Sequence, residues 1–436
     1  MTNRQPDDHV PYTLHQTTLA NGLKVVGLHM PHLRSMVISA FVGVGARHER
    51  SEHRGISHFL EHIMLSGSEH YPAMSDLFGA VEGMGGMLNG ASTFDHTVYW
   101  IRLHRDYVAD GVRVMADILT RPLLDPDVIA AERTTVLNEI AGMGGESSLE
   151  LMFEMLWPGR SGEFNVPGTL ETVERFDRER LLEHYRRFYT PGNIVLCVVG
   201  RFDVDDTFRL IGEVFGGMQG GPAPGLVALG EAQAGPRWDS RPAGGTQASF
   251  WLAHRAYIDT DPRRLPLYVL NTMLGWGTRS LLFEKVREEA GLAYYIESDT
   301  ALEGEYGLFN IHCELPSENL MAAMELVLGE LRRLTDGPID AARLNRALEL
   351  MRCQVEFQLD SPETLARIFG LSALFGRRFD PPLELARRLR EITAEQVIEV
   401  AREVFTPQRR YLLLLGPEAQ MVRRRQVERL LAAAPA

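Results

Sequence analysis

Apolar positions along the chain follow two periods. Met36 to Val44 is almost continuously apolar and reads as a buried strand. Tyr99 to Leu103, Asn193 to Gly200, Gln247 to His254, Gly307 to Cys313 and Arg410 to Gly416 read as further strands. Within Thr17 to Val26, Asn21-Gly22 separates two apolar runs and marks a hairpin. Helical spacing appears in His53 to Gly67, where Phe59, Leu60, Ile63 and Met64 stand among polar residues. It recurs in Arg105–Thr120, Pro126–Ala141, Arg178–Phe188, Arg264–Leu274, Asn319–Leu334 and Asp340–Phe357. Thr190-Pro191-Gly192 stops the Arg178–Phe188 helix.

From Gly216 to Gly245 the chain is rich in Gly, Pro and Ala and reads as a linker. Domains of 1–216 and 246–436 are expected on either side of a 217–245 connection. The order of elements repeats across it. Phe59 to Leu65 resembles Tyr268 to Leu274, and the approach to a helix at Arg121 resembles that at Asp336. A period of about 210 residues fits a duplication into two similar domains, each a mixed or antiparallel sheet packed with helices in an α+β arrangement.

The bulk properties narrow the class. The 436 residues are 45% hydrophobic and 24% charged, as in an ordinary globular protein. With 45 Lys and Arg against 58 Asp and Glu the net charge is −13, which argues against a nucleic-acid partner. Arg423-Arg424-Arg425 fits the solvated face of a last helix. Cys197, Cys313 and Cys353 form no disulfide or CxxC pattern and fit a reducing compartment. No signal peptide and no apolar run long enough for a membrane span is visible, so a cytoplasmic location is expected.

The densest chemistry lies in His58-Phe59-Leu60-Glu61-His62. Residues four apart on a helix share a face, so His58 and His62 can hold one ion from the same side. Zinc favours such nitrogen ligands, and Glu61 lies where a general base would stand beside an activated water. This HxxEH spacing is the inverzincin pattern, the reverse of HExxH. A catalytic zinc takes three protein ligands, so a third is needed. Glu132 and Glu139 are seven apart, on one face of a helix that Val136, Leu137 and Ile140 can anchor. Pattern alone does not choose between these two glutamates, nor does it set aside His53, His70 or His96.

The sequence resembles the pitrilysin-type inverzincin peptidases, in the half-length branch similar to mitochondrial processing peptidase subunits. The likeness rests on HxxEH, on a Glu 77 residues after the second His (139 − 62), and on a Glu seven before that one (139 − 132). It extends through Gly55–Ser68, Gly85–Tyr99 and Tyr189–Leu196, and covers roughly Leu19 to Gly416; Asn138 stands where an acidic residue is common. The resemblance implies half of a clamshell, a Zn2+ cofactor on His58, His62 and Glu139, Glu61 as the base, and Glu132 supporting the ligands. It implies that the strand Met87 to Thr93 pairs with a peptide substrate, with Asn89 touching it. In Leu281 to Tyr295, Arg287 and Tyr294 match the family's substrate-binding and carbonyl-polarising pair, with Tyr295 as the neighbouring alternative. The second half, with Leu270-Asn271-Thr272 in the matching helix, lacks HxxEH. Half-length members usually dimerise, so a homodimer, or a heterodimer with a related subunit, is expected. The expected activity is zinc-dependent endopeptidase hydrolysis of peptides or presequences. The rivals are a non-catalytic or partner-dependent subunit and a dedicated leader- or precursor-peptide maturation protease.

Overall fold

The computed structural model describes residues 10–143, 147–160, 164–221, 224–225, 229, 235–243, 247–377, 380–417 and 424–432. The chain forms two compact units. The first comprises Met1–Glu150, Arg160–Val227 and Phe357–Asp380; the second comprises Leu151–Gly159, Ala228–Glu356 and Pro381–Ala436.

The first unit is built on strands β1 (Thr13–Thr18), β2 (Lys24–His29), β3 (Ser35–Val42), β4 (Met87–Ser92), β5 (Thr97–His104) and β6 (Ile194–Gly200), ordered β1-β2-β6-β3-β5-β4. The Asn21-Gly22 turn joins β1 to β2 as an antiparallel pair. The second unit contains β7 (Arg237–Arg241), β8 (Gln247–Arg255), β9 (Tyr295–Leu302), β10 (Gly307–Pro316) and β11 (Arg410–Leu415), ordered β7-β11-β8-β10-β9.

Leaving β1 aside, the two sheets have the same plan. In each, the first pair is parallel (β2–β6 and β7–β11) and the rest are antiparallel. The helix Ile56–Leu65 runs between β3 and the edge strand β4, as Arg264–Leu274 runs between β8 and the edge strand β9. These are the segments whose sequences resemble one another. Helices of 17 residues, Pro126–Gly142 and Ala341–Phe357, likewise follow the other matched pair.

Strands β3 and β6 are buried almost end to end because both faces of their sheet are covered. Ile56–Leu65, Val108–Thr120 and Arg178–Phe188 cover one face. The other is covered by Pro362–Phe375, whose Leu365, Ala366 and Phe369 pack on Val26, Val37, Phe41, Val195 and Val199. The expected boundaries at 216 and 246 therefore differ from the fold in two exchanges. Phe357–Asp380 joins the first unit because the apolar outer face of β2, β3 and β6 needs a cover, and Leu151–Gly159 joins the second. Within the expected linker, Arg237–Arg241 is strand β7. Among the described residues no helix is long and apolar enough to cross a membrane.

Candidate metal centre and active site

Gly55 opens the motif helix in the left-handed region, φ 87°, and a Cβ there would lie 2.7 Å from the Gly168 Cα. Glu49 caps the helix: one carboxylate oxygen accepts the Gly55 N–H at 2.7 Å and the other the Ser57 N–H at 2.8 Å. Phe59, Leu60, Ile63 and Met64 bind the helix into the core. Their burial turns His58, Glu61 and His62 toward the Pro126–Gly142 helix. That helix starts on an Asp125 cap with Pro126 in its first turn, and its buried anchors Ile129 and Val136 are seven apart, so Glu132 and Glu139 share another face.

The two helices bring three donors together. His58 Nε2 lies 3.2 Å from His62 Nε2, and Glu139 Oε2 lies 3.7 Å from each of these nitrogens. Tetrahedral bonds of about 2.0–2.2 Å place ligand atoms about 3.3–3.6 Å apart, so small adjustments suffice for zinc. Burial, with His62 adding to it, lowers His58 to about 4, so its ring is neutral and has a lone pair to give. Glu132 reaches the other side of His62, its Oε2 3.4 Å from Nδ1, and so orients the ring rather than joining the cluster. Among the described residues His58, His62 and Glu139 form the one group of this kind. His70 is engaged by Asp117 and His96 by Asp95, each at 2.7 Å, while His53 lies in a short 3-10 turn before the motif helix.

Residues 24–157 match the insulinase family, peptidase family M16, and residues 175–351 match the peptidase M16 inactive domain. The chain belongs to peptidase family M16. An uncharacterized zinc protease of Streptomyces coelicolor is 28% identical over 422 residues, 94% of this chain and 91% of the relative. One from Bacillus subtilis is 26% identical over 410 residues, 93% and 98% of the two chains. A protease from Helicobacter pylori has the same fold at TM-score 0.85 and 19% identity, covering 94% of this chain and all (100%) of that one. So does a chain of complex III2 from Candida albicans, at TM-score 0.80 and 16% identity, covering 97% and 100%.

In this M16 chain Glu61 is 8% exposed, and burial raises its pKa above the ordinary carboxylate value while His62 opposes the rise. Gly90 of β4, not singled out by sequence, lies against it. A Cβ at Gly90 would stand 3.0 Å from the Glu61 Oε1. In the strand's period of two, Gly90 shares a face with Leu88 and Ser92. Asn89 occupies β4 rather than a turn; it pairs across from Trp100, and its Oδ1 accepts the Gly90 N–H at 2.8 Å. Its side chain therefore lies on the sheet face away from Glu61.

Arg287 sits in a π-helical stretch, Phe283–Glu289, just before β9. Its guanidinium lies over the rings of Phe283 and Tyr294, at 4.7 and 4.9 Å from their centroids. Tyr294 is 71% exposed, whereas Tyr295 begins β9 and is half-buried. Arg287 and Tyr294 thus meet each other in the second unit, and the three metal donors meet in the first.

Proposed function

We propose that this M16 chain is a zinc-dependent endopeptidase. The observation that carries the reading is the convergence of His58 Nε2, His62 Nε2 and Glu139 Oε2 beside the buried carboxylate of Glu61. His58, His62 and Glu139 would hold a zinc ion, which would supply Lewis acidity toward a water and the scissile carbonyl. Glu61 takes a proton from the attacking water and delivers it to the leaving amine nitrogen. Glu132 keeps His62 in orientation through Nδ1. The free edge of β4 offers backbone groups to an extended peptide, and selectivity falls to the side chains flanking it. Arg287 and Tyr294 donate to the carbonyl oxygen as charge develops on it. A homodimer is the assembly in which each copy lends this pair to its partner's metal centre.

A non-catalytic subunit would need none of the four residues His58, Glu61, His62 and Glu139, so their presence weighs against that alternative. The test is zinc content together with hydrolysis of a mixed peptide library. Wild type should hold about one zinc per chain and cleave. Glu61→Gln should keep the zinc and lose turnover, and Glu139→Gln should lose zinc. Full turnover in Glu61→Gln would remove the base, and absence of zinc from the wild type would remove the reading.

A further inference from the structure

Phe283 stands apart from the apolar residues around it. Leu282 and Val286 are fully buried in the core of the second unit, and Leu281 and Leu292 pack against that core, but Phe283 does not join the cluster. Leu282 and Val286 are four apart, so Phe283 and Arg287, each one residue further on, share the neighbouring face of the helix. There the half-buried Phe283 ring meets the Arg287 guanidinium at 4.7 Å, its one ring contact among the described residues. The π-helical turn ends with the Ala290 N–H donating to the Lys285 carbonyl at 3.2 Å. The chain then reverses at Gly291, φ 62°, and Tyr294 returns to the same guanidinium at 4.9 Å. Tyr294 is largely exposed, so the fixed platform is Phe283. Neighbouring charges leave Arg287 free. Glu284 is held by Arg343 at 2.6 Å and by Arg279 at 3.3 Å, and Glu289 by Lys285 at 2.7 Å. Among the described residues Arg287 makes no ion pair or hydrogen bond of its own. A stacked guanidinium meets rings through its face and keeps its in-plane N–H donors for an outside acceptor.

We propose that Phe283 is a positioning residue for Arg287: its ring holds the guanidinium by a cation–π contact and so fixes the aim of donors that serve the substrate carbonyl. The inference rests on the carbonyl-binding role proposed above for Arg287. An unrestrained arginine spreads over many rotamers, and a donor that answers charge as it develops works best when already in place. A packing role is the competing explanation, and two substitutions separate it from positioning by sign. Leucine keeps an apolar side chain and has no π face, whereas tryptophan is bulkier and has the better π face. Packing favours leucine over tryptophan; positioning favours tryptophan over leucine.

The experiment compares wild type, Phe283→Leu, Phe283→Trp, Arg287→Met and the double variant Phe283→Leu with Arg287→Met. Zinc content, kcat and KM on the best library peptide are measured for each, together with melting temperature. Phe283→Leu should lower kcat about 5-fold or more with KM within about two-fold and zinc unchanged, because the donor has lost its aim and the peptide its place has not. Phe283→Trp should recover most of that loss. Arg287→Met should lower kcat further, and adding Phe283→Leu to it should change kcat little, since the ring then has nothing to place. The melting drop caused by Phe283→Leu should likewise shrink when residue 287 is already methionine. Unchanged kcat in Phe283→Leu, a loss in Phe283→Trp as large as in Phe283→Leu, or additive effects in the double variant would each overturn the positioning role. If the wild type itself does not hydrolyse, the peptidase reading fails on that result, and the melting cycle still decides whether Phe283 holds Arg287.

Discussion

Around the motif helix, single side chains are held in protonation states that water would not choose. Burial lowers His48 and His58 to about 4 and His184 to about 3, while it raises Glu49 to about 7. Unfolded, the histidines return to about 6.5 and the glutamate to about 4.3. The histidines therefore contribute stability that is present above about pH 6.5 and is lost as pH falls toward their folded values. Glu49 acts oppositely, its contribution being lost as pH rises from about 4.3 through 7. Three groups against one make acidification below pH 6.5 destabilising. His184, paired with Ser57 Oγ at 3.1 Å, is the clearest probe. His184→Gln should flatten the fall in melting temperature between pH 6.5 and 4, and a slope equal to wild type would remove His184 from this account. At this scale the sequence was informative where spacing fixes position. The offsets of four and seven put His58, His62, Glu132 and Glu139 on usable faces but do not separate the two glutamates; the family resemblance assigned Glu139 to the metal, and in the structure Glu139 faces both Nε2 atoms while Glu132 faces Nδ1.

Among the elements, the strands with unbroken apolar runs were readable because burial on both faces leaves no polar alternation. What covers the second face was not readable. The stripe of Leu365, Ala366 and Phe369 marks an amphipathic helix but does not say which sheet it will meet, and it arises about 165 residues after the last strand of that sheet (365 − 200). Gly370 shows how tight the meeting is, since a Cβ there would collide with the Phe41 ring. Valine at this helical position would gain a few tenths of a kcal/mol in propensity over glycine, while overpacking a filled core costs about 1–3 kcal/mol. The clash wins, so Gly370→Val should cost about 1–2 kcal/mol in urea unfolding; a stabilised variant would show that the helix can lift without penalty. The π-helical Phe283–Glu289 was equally hidden, because five-residue hydrogen bonding leaves no apolar period distinct from an α-helix in so short a stretch.

Taken whole, the molecule is a duplication whose halves have traded parts. Five strands repeat in order and sense, yet Leu151–Gly159 is built into the second unit and Phe357–Asp380 into the first. The traded pieces carry buried side chains, Phe153, Leu156 and Trp157 in one and Leu365, Ala366 and Phe369 in the other. A protease site placed at Pro224–Gly225, between the donated segments in sequence, would separate the chain into two fragments that each lack a piece of their own core. After cutting the folded protein, the fragments should co-elute in gel filtration and part only in denaturant, whereas two separate peaks under native conditions would show that the traded segments bind weakly. The same connectivity bears on how such a protein could be encoded. Two genes split at that point would yield products that cannot mature alone and must find each other during synthesis, so a single reading frame here acts as the tether that guarantees assembly.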